Sequence, residues 1–243
     1  EESLYNRKFG YYMKSDPFGE KGDFITAPNI SILFSEMIAI WIVAFWEDLN
    51  CPKQFNLVEL GAGNGEMMKL LVNTFNKFSQ FQDGCNIKIL EKSAFLRKIQ
   101  KKKIKNQKIK WLNNLDELNN LPCIFVANEF FDALPIKQFI KIQNKWYERH
   151  VKFTNQKSPK FLDIPFNIQK LEKKIKFKIS SNQKFIEYSP LASKYLKNIT
   201  NKIKLNDGGI LIIDYGYIDK KMKNTLQSVS KHKYTDVLNN FGS

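Results

Sequence analysis

The sequence predicts an α/β protein built on a mostly parallel, doubly wound sheet. Apolar strand-like segments alternate with helical segments between residues 55 and 127, and this alternation is typical of parallel sheets with helices on both faces. A glycine-rich segment, residues 61–65, directly follows one apolar strand, and a segment with three polar side chains, residues 128–132, directly follows another. Ligands bind at the carboxyl ends of the strands in such sheets, so these two segments predict a functional site.

Composition and periodicity predict the individual elements. Strands are predicted at residues 55–60, 86–90, 109–112, 124–127, 184–188 and 210–215. Helices are predicted at residues 31–49, 66–78 and 94–103, and a further helix begins at Pro190 and ends at Gly208-Gly209. The apolar spacing of Leu33, Met37 and Trp41 predicts that the first helix is buried. Residues 136–142 and 145–153 flank Gln143-Asn144 and predict a β-hairpin.

These elements suggest three regions. The turn-rich residues 1–50 are predicted to form an irregular N-terminal cap loop and helix. Residues 51–135 and 184–243 are predicted to form a Rossmann-like cofactor-binding core. The strand–helix rhythm breaks in residues 136–183, which we expect to be an insertion that contacts a substrate or partner.

Charge and cysteine content limit the class of protein. The net charge is +15, but only three of the 39 basic residues are arginines, which favours a solvated surface over nucleic-acid binding. No apolar run approaches the roughly 20 residues that span a bilayer. Cys51, Cys85 and Cys123 are isolated, which argues against a disulfide framework or a structural metal site. We therefore expect a reducing compartment, either a bacterial cytoplasm or a mitochondrial matrix.

A glycine-rich turn follows the strand at residues 55–60. The spacing of Gly61, Gly63 and Gly65 is G-x-G-x-G and differs from the G-x-G-x-x-G of dinucleotide folds, so it favours S-adenosyl-L-methionine as the cofactor over NAD. Glu59 precedes the turn and suits the cationic groups of that cofactor. The alternative is a plain glycine turn without a ligand.

Two further acids are candidates for the nucleoside part of the cofactor. Glu91 ends the next strand, where an acidic side chain accepts hydrogen bonds from ribose hydroxyls. Its alternative is a surface acid next to Lys92. Asp116 follows the third strand and is a weaker candidate for binding the adenine amine.

The polar residues that follow the fourth predicted strand, within residues 128–132, predict the part of the site that binds the group to be methylated. Asn128 with Phe130 could hold a planar amine, whereas Glu129 and Asp132 could clamp a guanidinium in bidentate fashion. A guanidinium needs opposed negative charge when it leaves water, so the two carboxylates favour it. Asn128, Glu129 and Asp132 are therefore the candidate catalytic residues. The alternative is that Asp132 caps a following helix while Glu129 faces solvent.

Methyl transfer needs proximity and a nucleophile rather than a metal, and no metal site is predicted. Two other functions stay open at this point. One is a non-catalytic assembly or scaffold protein that retains the cofactor pocket and uses the hairpin around Trp146, Tyr147 and Phe153 as a partner surface. The other is an RNA methyltransferase, supported by the charge and by Asn128 with its aromatic neighbours.

Several strings of residues resemble the MidA family of S-adenosyl-L-methionine-dependent methyltransferases. They are Gly-Asp-Phe-Ile-Thr-Ala-Pro at residues 22–28, the glycine turn, Asn-Glu-Phe-Phe-Asp-Ala-Leu-Pro at 128–135, Ile-Asp-Tyr-Gly-Tyr at 213–217 and Thr-Leu-Gln-Ser-Val at 225–229. The resemblance covers nearly the whole chain.

The resemblance implies a class I methyltransferase fold with an insertion. It also implies a protein arginine substrate, such as a subunit of respiratory complex I (NADH dehydrogenase). The loop at residues 22–28 would cover the cofactor, with Asp23 and Thr26 near it. The chain departs from the family where Asn29 replaces the usual Glu and Asn64 replaces a common Arg. Ser35 likewise replaces a Gly.

Overall fold

The fold is described by a computed structural model that covers residues 2–6, 8–13, 17–19, 22–24, 26–106, 108–154, 157–218, 221–230 and 233–239. The helices are α1 (Glu2–Tyr5), α2 (Ala27–Ile30), α3 (Ile32–Asp48), α4 (Glu66–Phe75), α5 (Ser79–Gly84), α6 (Ala94–Ile104), α7 (Ile168–Ile175) and α8 (Pro190–Asn206). Two short 3₁₀ turns lie at Tyr11–Met13 and Leu115–Glu117.

The strands fall into a parallel sheet, an antiparallel sheet and a short hairpin. Their bounds are β1 (Phe55–Leu60), β2 (Cys85–Leu90), β3 (Lys110–Leu112), β4 (Cys123–Asn128), β5 (Lys137–Ile142), β6 (Lys145–Thr154), β7 (Lys157–Pro165), β8 (Phe185–Tyr188), β9 (Gly208–Ile213), β10 (Ser228–Ser230) and β11 (Lys233–Thr235). Each strand predicted from the sequence overlaps one of these strands.

Among the described residues, five parallel strands form the central sheet in the order β3-β2-β1-β4-β9. The predicted α/β fold class is thereby confirmed. Strand β1 is buried along its whole length and pairs with β2 on one side and β4 on the other. Glu59 stands opposite Ile89 of β2 and Val126 of β4, so the three strands end at the same edge. The predicted site segments meet at that edge.

Helices cover both faces of the central sheet. Leu57 of β1 belongs to a core cluster with Ile42 of α3 and Met68 of α4. The next residue, Val58, belongs to a second cluster on the opposite face, which includes Ile199 of α8. Because side chains alternate along a strand, β1 contributes to both clusters and joins the two helix layers. Burial on both faces explains the near-continuous apolar sequence of this strand.

The prediction that α3 is a buried helix is wrong for one of its faces. Leu33 and Met37 expose 62% and 55% of their surface, whereas Ile38 and Ile42 on the other side are buried. The helix is apolar all round, so its spacing could not indicate which face packs on the sheet. Within the part of the chain that is described, no helix has the length and apolar character needed to cross a membrane.

The residues divide into two compact units. The first holds the residues up to Ala133 together with Lys194–Tyr215, and the second holds Leu134–Ser193 and the residues that follow Tyr215. In the second unit the Glu187 carboxylate accepts hydrogen bonds from the Thr225 backbone N–H and hydroxyl. These contacts attach the segment after Tyr215 to the unit that contains residues 136–183. The three regions expected from the sequence stay a prediction.

The second unit contains an antiparallel sheet in the order β7-β6-β5-β8. The predicted hairpin is present, and Gln143 and Asn144 adopt φ values of 46° and 62° between β5 and β6. Strand β7 and helix α7 were not predicted. Most residues of both elements are solvent-exposed or half-buried. In α7 the apolar residues Ile168, Leu171 and Ile175 do have helical spacing, but they stand in a lysine-rich segment that suggested an exposed stretch.

Candidate cofactor and acceptor site

The glycine turn between β1 and α4 has the backbone geometry that its composition predicts. Gly61, Gly63 and Gly65 have φ values of 66°, 52° and 81°, all in the left-handed region that favours glycine. Gly65 is the N-cap residue of α4. The turn is also bonded to the neighbouring strand, because the Gly61 N–H donates to the Leu90 carbonyl at 2.9 Å.

Side chains from distant segments pack directly on the glycine turn. A Cβ added to Gly61 would lie 2.7 Å from Cδ2 of Phe130, and one added to Gly63 would lie 3.2 Å from Cε2 of Phe18. Phe18 belongs to the N-terminal cap, and Phe130 belongs to residues 128–132 at the end of β4, which we call the acceptor segment. The glycine turn therefore contacts both the cap and the acceptor segment.

Glu59 is a buried acid with an unpaired carboxyl oxygen. Its side chain is 2% exposed, and among the described residues its Oε2 atom has no hydrogen-bond partner. Burial, with a smaller effect of nearby Glu91, raises the pKa of Glu59 to about 8. An unpaired buried carboxylate oxygen fits a ligand that brings a cationic group, as the amino end of S-adenosyl-L-methionine does.

Glu91, the second candidate for the cofactor, is held by hydrogen bonds at the end of β2. Its Oε1 accepts the Ser93 N–H at 2.9 Å, and its Oε2 accepts Nε2 of Gln100 at 3.1 Å. Burial raises its pKa against the opposing effect of these bonds. The alternative of a surface acid is wrong, because Glu91 is 6% exposed.

Gln100 is a site residue that the sequence did not indicate. It is fully buried in α6, and its Nε2 also donates to the Gly63 carbonyl at 2.8 Å. Its Oε1 accepts the indole N–H of Trp111 at 2.8 Å. Gln100 thus ties Glu91 to the glycine turn. A glutamine inside a lysine-rich helix gave no signal of this role.

The acceptor segment begins where β4 ends. Asn128 pairs with Ile213 of β9, and its buried Oδ1 atom has no partner among the described residues. Glu129 follows with φ of 48°, and its N–H donates to the Ile213 carbonyl at 2.8 Å. Burial, followed by the charges of Asp132 and Asp214, raises the pKa of Glu129. Hydrogen bonds from the Ala27 N–H and the Asn128 side chain oppose that shift.

Asp132 lies close to Glu129, and no helix follows it. A turn at residues 132–133 leads through irregular residues to β5, so the alternative that Asp132 caps a helix is wrong. The residue keeps contact with solvent, but partial burial of its carboxyl and the charge of Asp214 raise the pKa of Asp132 to about 6. Asp214 also accepts two backbone hydrogen bonds from the acceptor segment, through Phe131 and Asp132.

The loop implied by the family resemblance is anchored on both sides. Asp23 accepts a short hydrogen bond from the Tyr11 hydroxyl. Thr26 is buried, and its Oγ1 accepts Nδ2 of Asn29 at 2.7 Å. Asn29 in turn accepts Nδ2 of Asn64, in the glycine turn, at 3.3 Å. The loop is therefore bonded to the turn, while Ile25 within it lies outside the described residues.

Tyrosines of the N-terminal cap were missed by the sequence analysis. Tyr12 stacks on Phe18 with ring centroids 6.1 Å apart, and its carbonyl accepts the Ser93 hydroxyl at 2.6 Å. Burial and then the charges of Asp132, Glu91 and Glu129 raise the pKa of Tyr12, so its hydroxyl stays protonated. Tyr12 is therefore close enough to both groups of acids for their charges to act on its hydroxyl.

Asp116 is exposed on the 3₁₀ turn after β3, where its N–H donates to Oδ1 of Asn114 at 2.8 Å. Its proposed contact with adenine stays a prediction. Across the described ranges, no group of three His, Cys, Asp or Glu side chains is arranged to hold a metal ion.

A parallel sheet with a glycine turn and acids at its carboxyl edge defines a nucleoside-cofactor enzyme fold of the class I methyltransferase type. The profile of a family described as "Putative S-adenosyl-L-methionine-dependent methyltransferase" matches residues 37–243. The chain belongs to this family. That membership confirms the predicted cofactor, S-adenosyl-L-methionine.

Curated relatives and a solved structure are also similar to the chain. "Protein arginine methyltransferase NDUFAF7, mitochondrial" of Xenopus laevis is 29% identical over all of this chain and 61% of its own length. The human protein of the same name is 30% identical over 98% of this chain and 59% of its own. The chain thus spans about three fifths of the length of these relatives.

A crystal structure from Burkholderia thailandensis, bound to S-adenosyl-homocysteine, has a TM-score of 0.80 to this chain. It is 21% identical in sequence and is matched over 99% of this chain and 64% of its own. At that identity, the comparison supports the fold alone.

Proposed function

We propose that this chain transfers a methyl group from S-adenosyl-L-methionine to a guanidinium nitrogen of an arginine in a protein. The observation that carries the proposal is that Glu129 and Asp132 lie close together on the segment whose Phe130 ring packs on Gly61. Paired carboxylates are suited to a guanidinium, because two parallel hydrogen bonds match its planar fork. The names of the relatives, which are protein arginine methyltransferases, support the same acceptor.

In this proposal the residues at the sheet edge hold the cofactor. Glu59 would bind its cationic amino group through the unpaired Oε2, and Glu91 would bind its ribose hydroxyls. Gly61, Gly63 and Gly65 would allow close approach of the backbone to the ligand. The other proposed cofactor-binding residues are Asp23, Thr26 and Asp116. Asp116 would lie near the adenine.

The residues of the acceptor segment would bind and deprotonate the substrate. The bound cofactor supplies a methyl group on a sulfonium, whose C–S bond breaks towards sulfur while a C–N bond to the guanidinium forms. Glu129 and Asp132 would orient the guanidinium and offset its charge outside water. Glu129, whose pKa is raised, would take the proton that the methylated nitrogen loses. Asn128 would accept a further N–H through its unpaired Oδ1.

The substrate and compartment belong to the proposal as well. A subunit of respiratory complex I is the proposed substrate, from the family resemblance. The named relatives are mitochondrial, which supports a matrix location for a eukaryotic chain, while a bacterial chain would act in the cytoplasm.

The test uses the purified chain, methyl-labelled cofactor and complex I subunits from cells that lack the gene. We expect mass spectrometry to find methylarginine with the wild type. Glu129→Gln should abolish it, while calorimetry still shows cofactor binding. Glu47→Gln is the matched control, because Glu47 is an exposed acid at the end of α3.

Each alternative has its own outcome. Unchanged methylation by Glu129→Gln would show that the catalytic assignment is wrong. Label that appears in RNA, with binding that weakens steeply in salt, would favour the RNA methyltransferase. Full rescue of complex I assembly by the Glu129→Gln, Asp132→Asn double variant would favour the scaffold function.

A further inference from the structure

The end of β9 holds the acceptor segment through one side chain. Asp214 directly follows β9, and its Oδ2 accepts the N–H of Phe131 at 3.0 Å and that of Asp132 at 3.2 Å. Its Oδ1 accepts the Tyr215 N–H at 2.9 Å. Both carboxylate oxygens are thus bonded to backbone, so the side chain has a fixed orientation. Asp214 therefore links the end of β9 to the segment that follows β4, its neighbour in the sheet.

The backbone that Asp214 braces is strained. Glu129 adopts a φ of 48°, a left-handed conformation that is unfavourable for a residue with a side chain. Its N–H donates to the Ile213 carbonyl at 2.8 Å, which continues the β4–β9 pairing by one residue. Three hydrogen bonds therefore hold residues 129–132: one accepted by the Ile213 carbonyl and two accepted by the Asp214 carboxylate. This turn sets the directions of the Glu129 and Asp132 side chains.

Asp214 also adds negative charge where the guanidinium would bind. Its carboxylate faces both Glu129 and Asp132. In the described part of the chain, the other titratable groups close to Asp132 are the Glu129 carboxyl and the hydroxyls of Tyr5 and Tyr12. Partial burial and the Asp214 charge raise the pKa of Asp132 to about 6. Removing the Asp214 charge would let Asp132 ionise at lower pH.

We propose that Asp214 is a positioning residue of the acceptor site, which holds the turn that aims Glu129 and Asp132 and places a third negative charge beside them. The assignment rests on the proposed function. It extends that function because Asp214 acts through the two acids and needs no contact with the substrate. The sequence placed Asp214 near a strand end without giving it a role.

Two substitutions separate the charge of Asp214 from its geometry. Asp214→Asn keeps an oxygen that can accept the two N–H groups but removes the charge. It should move the acidic limb of the kcat/KM profile down by about 1 pH unit, because Asp132 loses its proton earlier. Asp214→Glu keeps the charge but lengthens the side chain. It should leave that limb in place and lower kcat about 10-fold or more.

The matched control is Asp207→Asn. Asp207 is an exposed acid that precedes the other end of the same strand, and it tolerates asparagine at its φ of 65°. It should change neither kcat nor the pH profile. An acidic limb that stays in place in Asp214→Asn would overturn the role of the charge. Full kcat in Asp214→Glu would overturn the role in positioning.

A measurement without substrate separates this proposal from the proposed function. Amide hydrogen exchange, read by mass spectrometry over residues 129–134, should accelerate in Asp214→Ala and stay unchanged in Asp207→Asn. This result is expected even if no arginine is methylated by any variant, which would count against the proposed function alone. Unchanged exchange in residues 129–134 would overturn the positioning role. Exchange that accelerates throughout the chain in all Asp214 variants would also overturn it, because Asp214 would then be a residue of general stability.

Discussion

The ring of Phe130 lies against Gly61, with its Cδ2 atom 2.7 Å from the position that a Cβ would take there. Gly61 follows β1 and Phe130 follows β4, two strands that are neighbours in the central sheet. This contact joins the two segments that the sequence singled out. The glycine turn and the acceptor segment are therefore in direct van der Waals contact, and each restricts the conformations open to the other.

Gly61→Ala should damage both segments. The substitution places a methyl group against Phe130 and forces alanine into a φ of 66°. We expect a loss of about 1 to 3 kcal/mol in the free energy of unfolding, and weaker cofactor binding. Denaturant melts and calorimetry would measure the two effects. Gly216→Ala is the control, because a Cβ there meets no atom within 4 Å. Equal stability of the two variants would show that the contact is unimportant.

Glu59→Gln should make the protein more stable at high pH while it weakens cofactor binding. The folded protein keeps the Glu59 proton up to a pKa of about 8, whereas the unfolded chain releases it near 4.5. The wild type therefore loses stability as pH rises between these values. Glutamine removes this loss, so we expect the variant to be more stable above pH 8 by roughly 1 to 3 kcal/mol.

Glu59→Gln should also remove the pH dependence of cofactor binding. Ionised Glu59 would pair with the cationic amino group, so wild-type affinity should rise with pH towards 8, and the affinity of Glu59→Gln should be lower and flat. Calorimetry between pH 6 and pH 8.5 tests this, with Glu47→Gln as the control. Parallel curves for Glu59→Gln and wild type would contradict the assignment of Glu59 to the amino group.

Ser93→Ala should destabilise α6 and detach Tyr12. The Ser93 hydroxyl accepts the Leu96 N–H at 3.1 Å as an N-cap and donates to the Tyr12 carbonyl. Loss of such a cap costs about 1 kcal/mol. Ser31 is also an N-cap residue, at α3, but its side chain makes no capping bond. Thermal melts should show that Ser31→Ala changes stability by less than about 0.5 kcal/mol. A similar loss in both variants would contradict the capping role.

The amide pair Asn29–Asn64 should tolerate exchange for a charged pair. The family resemblance implies Glu and Arg at these two positions, and Nδ2 of Asn64 donates to Oδ1 of Asn29 at 3.3 Å. Asn64→Arg alone would place a guanidinium at a position that is 7% exposed, without a carboxylate partner. Adding Asn29→Glu should recover stability, with a coupling energy of about 1 to 3 kcal/mol in a double-mutant cycle. Strictly additive effects would contradict the compensation.

The strands and glycine turn could be predicted because their signals are local. Strand β1 was predicted with its observed bounds, and each glycine of the turn has the positive φ that its residue type suggests. Helix α3 shows the limit of this approach, since a helix that is apolar on all sides does not reveal its packed face. Strand β7 was missed because most of its residues are exposed or half-buried. Helix α7 was missed although Ile168, Leu171 and Ile175 have helical spacing, because the lysines around them suggested an exposed segment.

The class of this protein could be inferred from short stretches of its sequence, because a glycine turn after one buried strand and two acids after another have a direct chemical meaning. The other residues of the candidate site are brought to it by the packing of the folded chain. Asp214 bonds to backbone groups 82 and 83 positions away, and Gln100 bonds to Gly63 across 37 positions. Such contacts depend on how strands and helices pack. Neither residue type nor spacing records that packing, and the fold alone brings these side chains to the site.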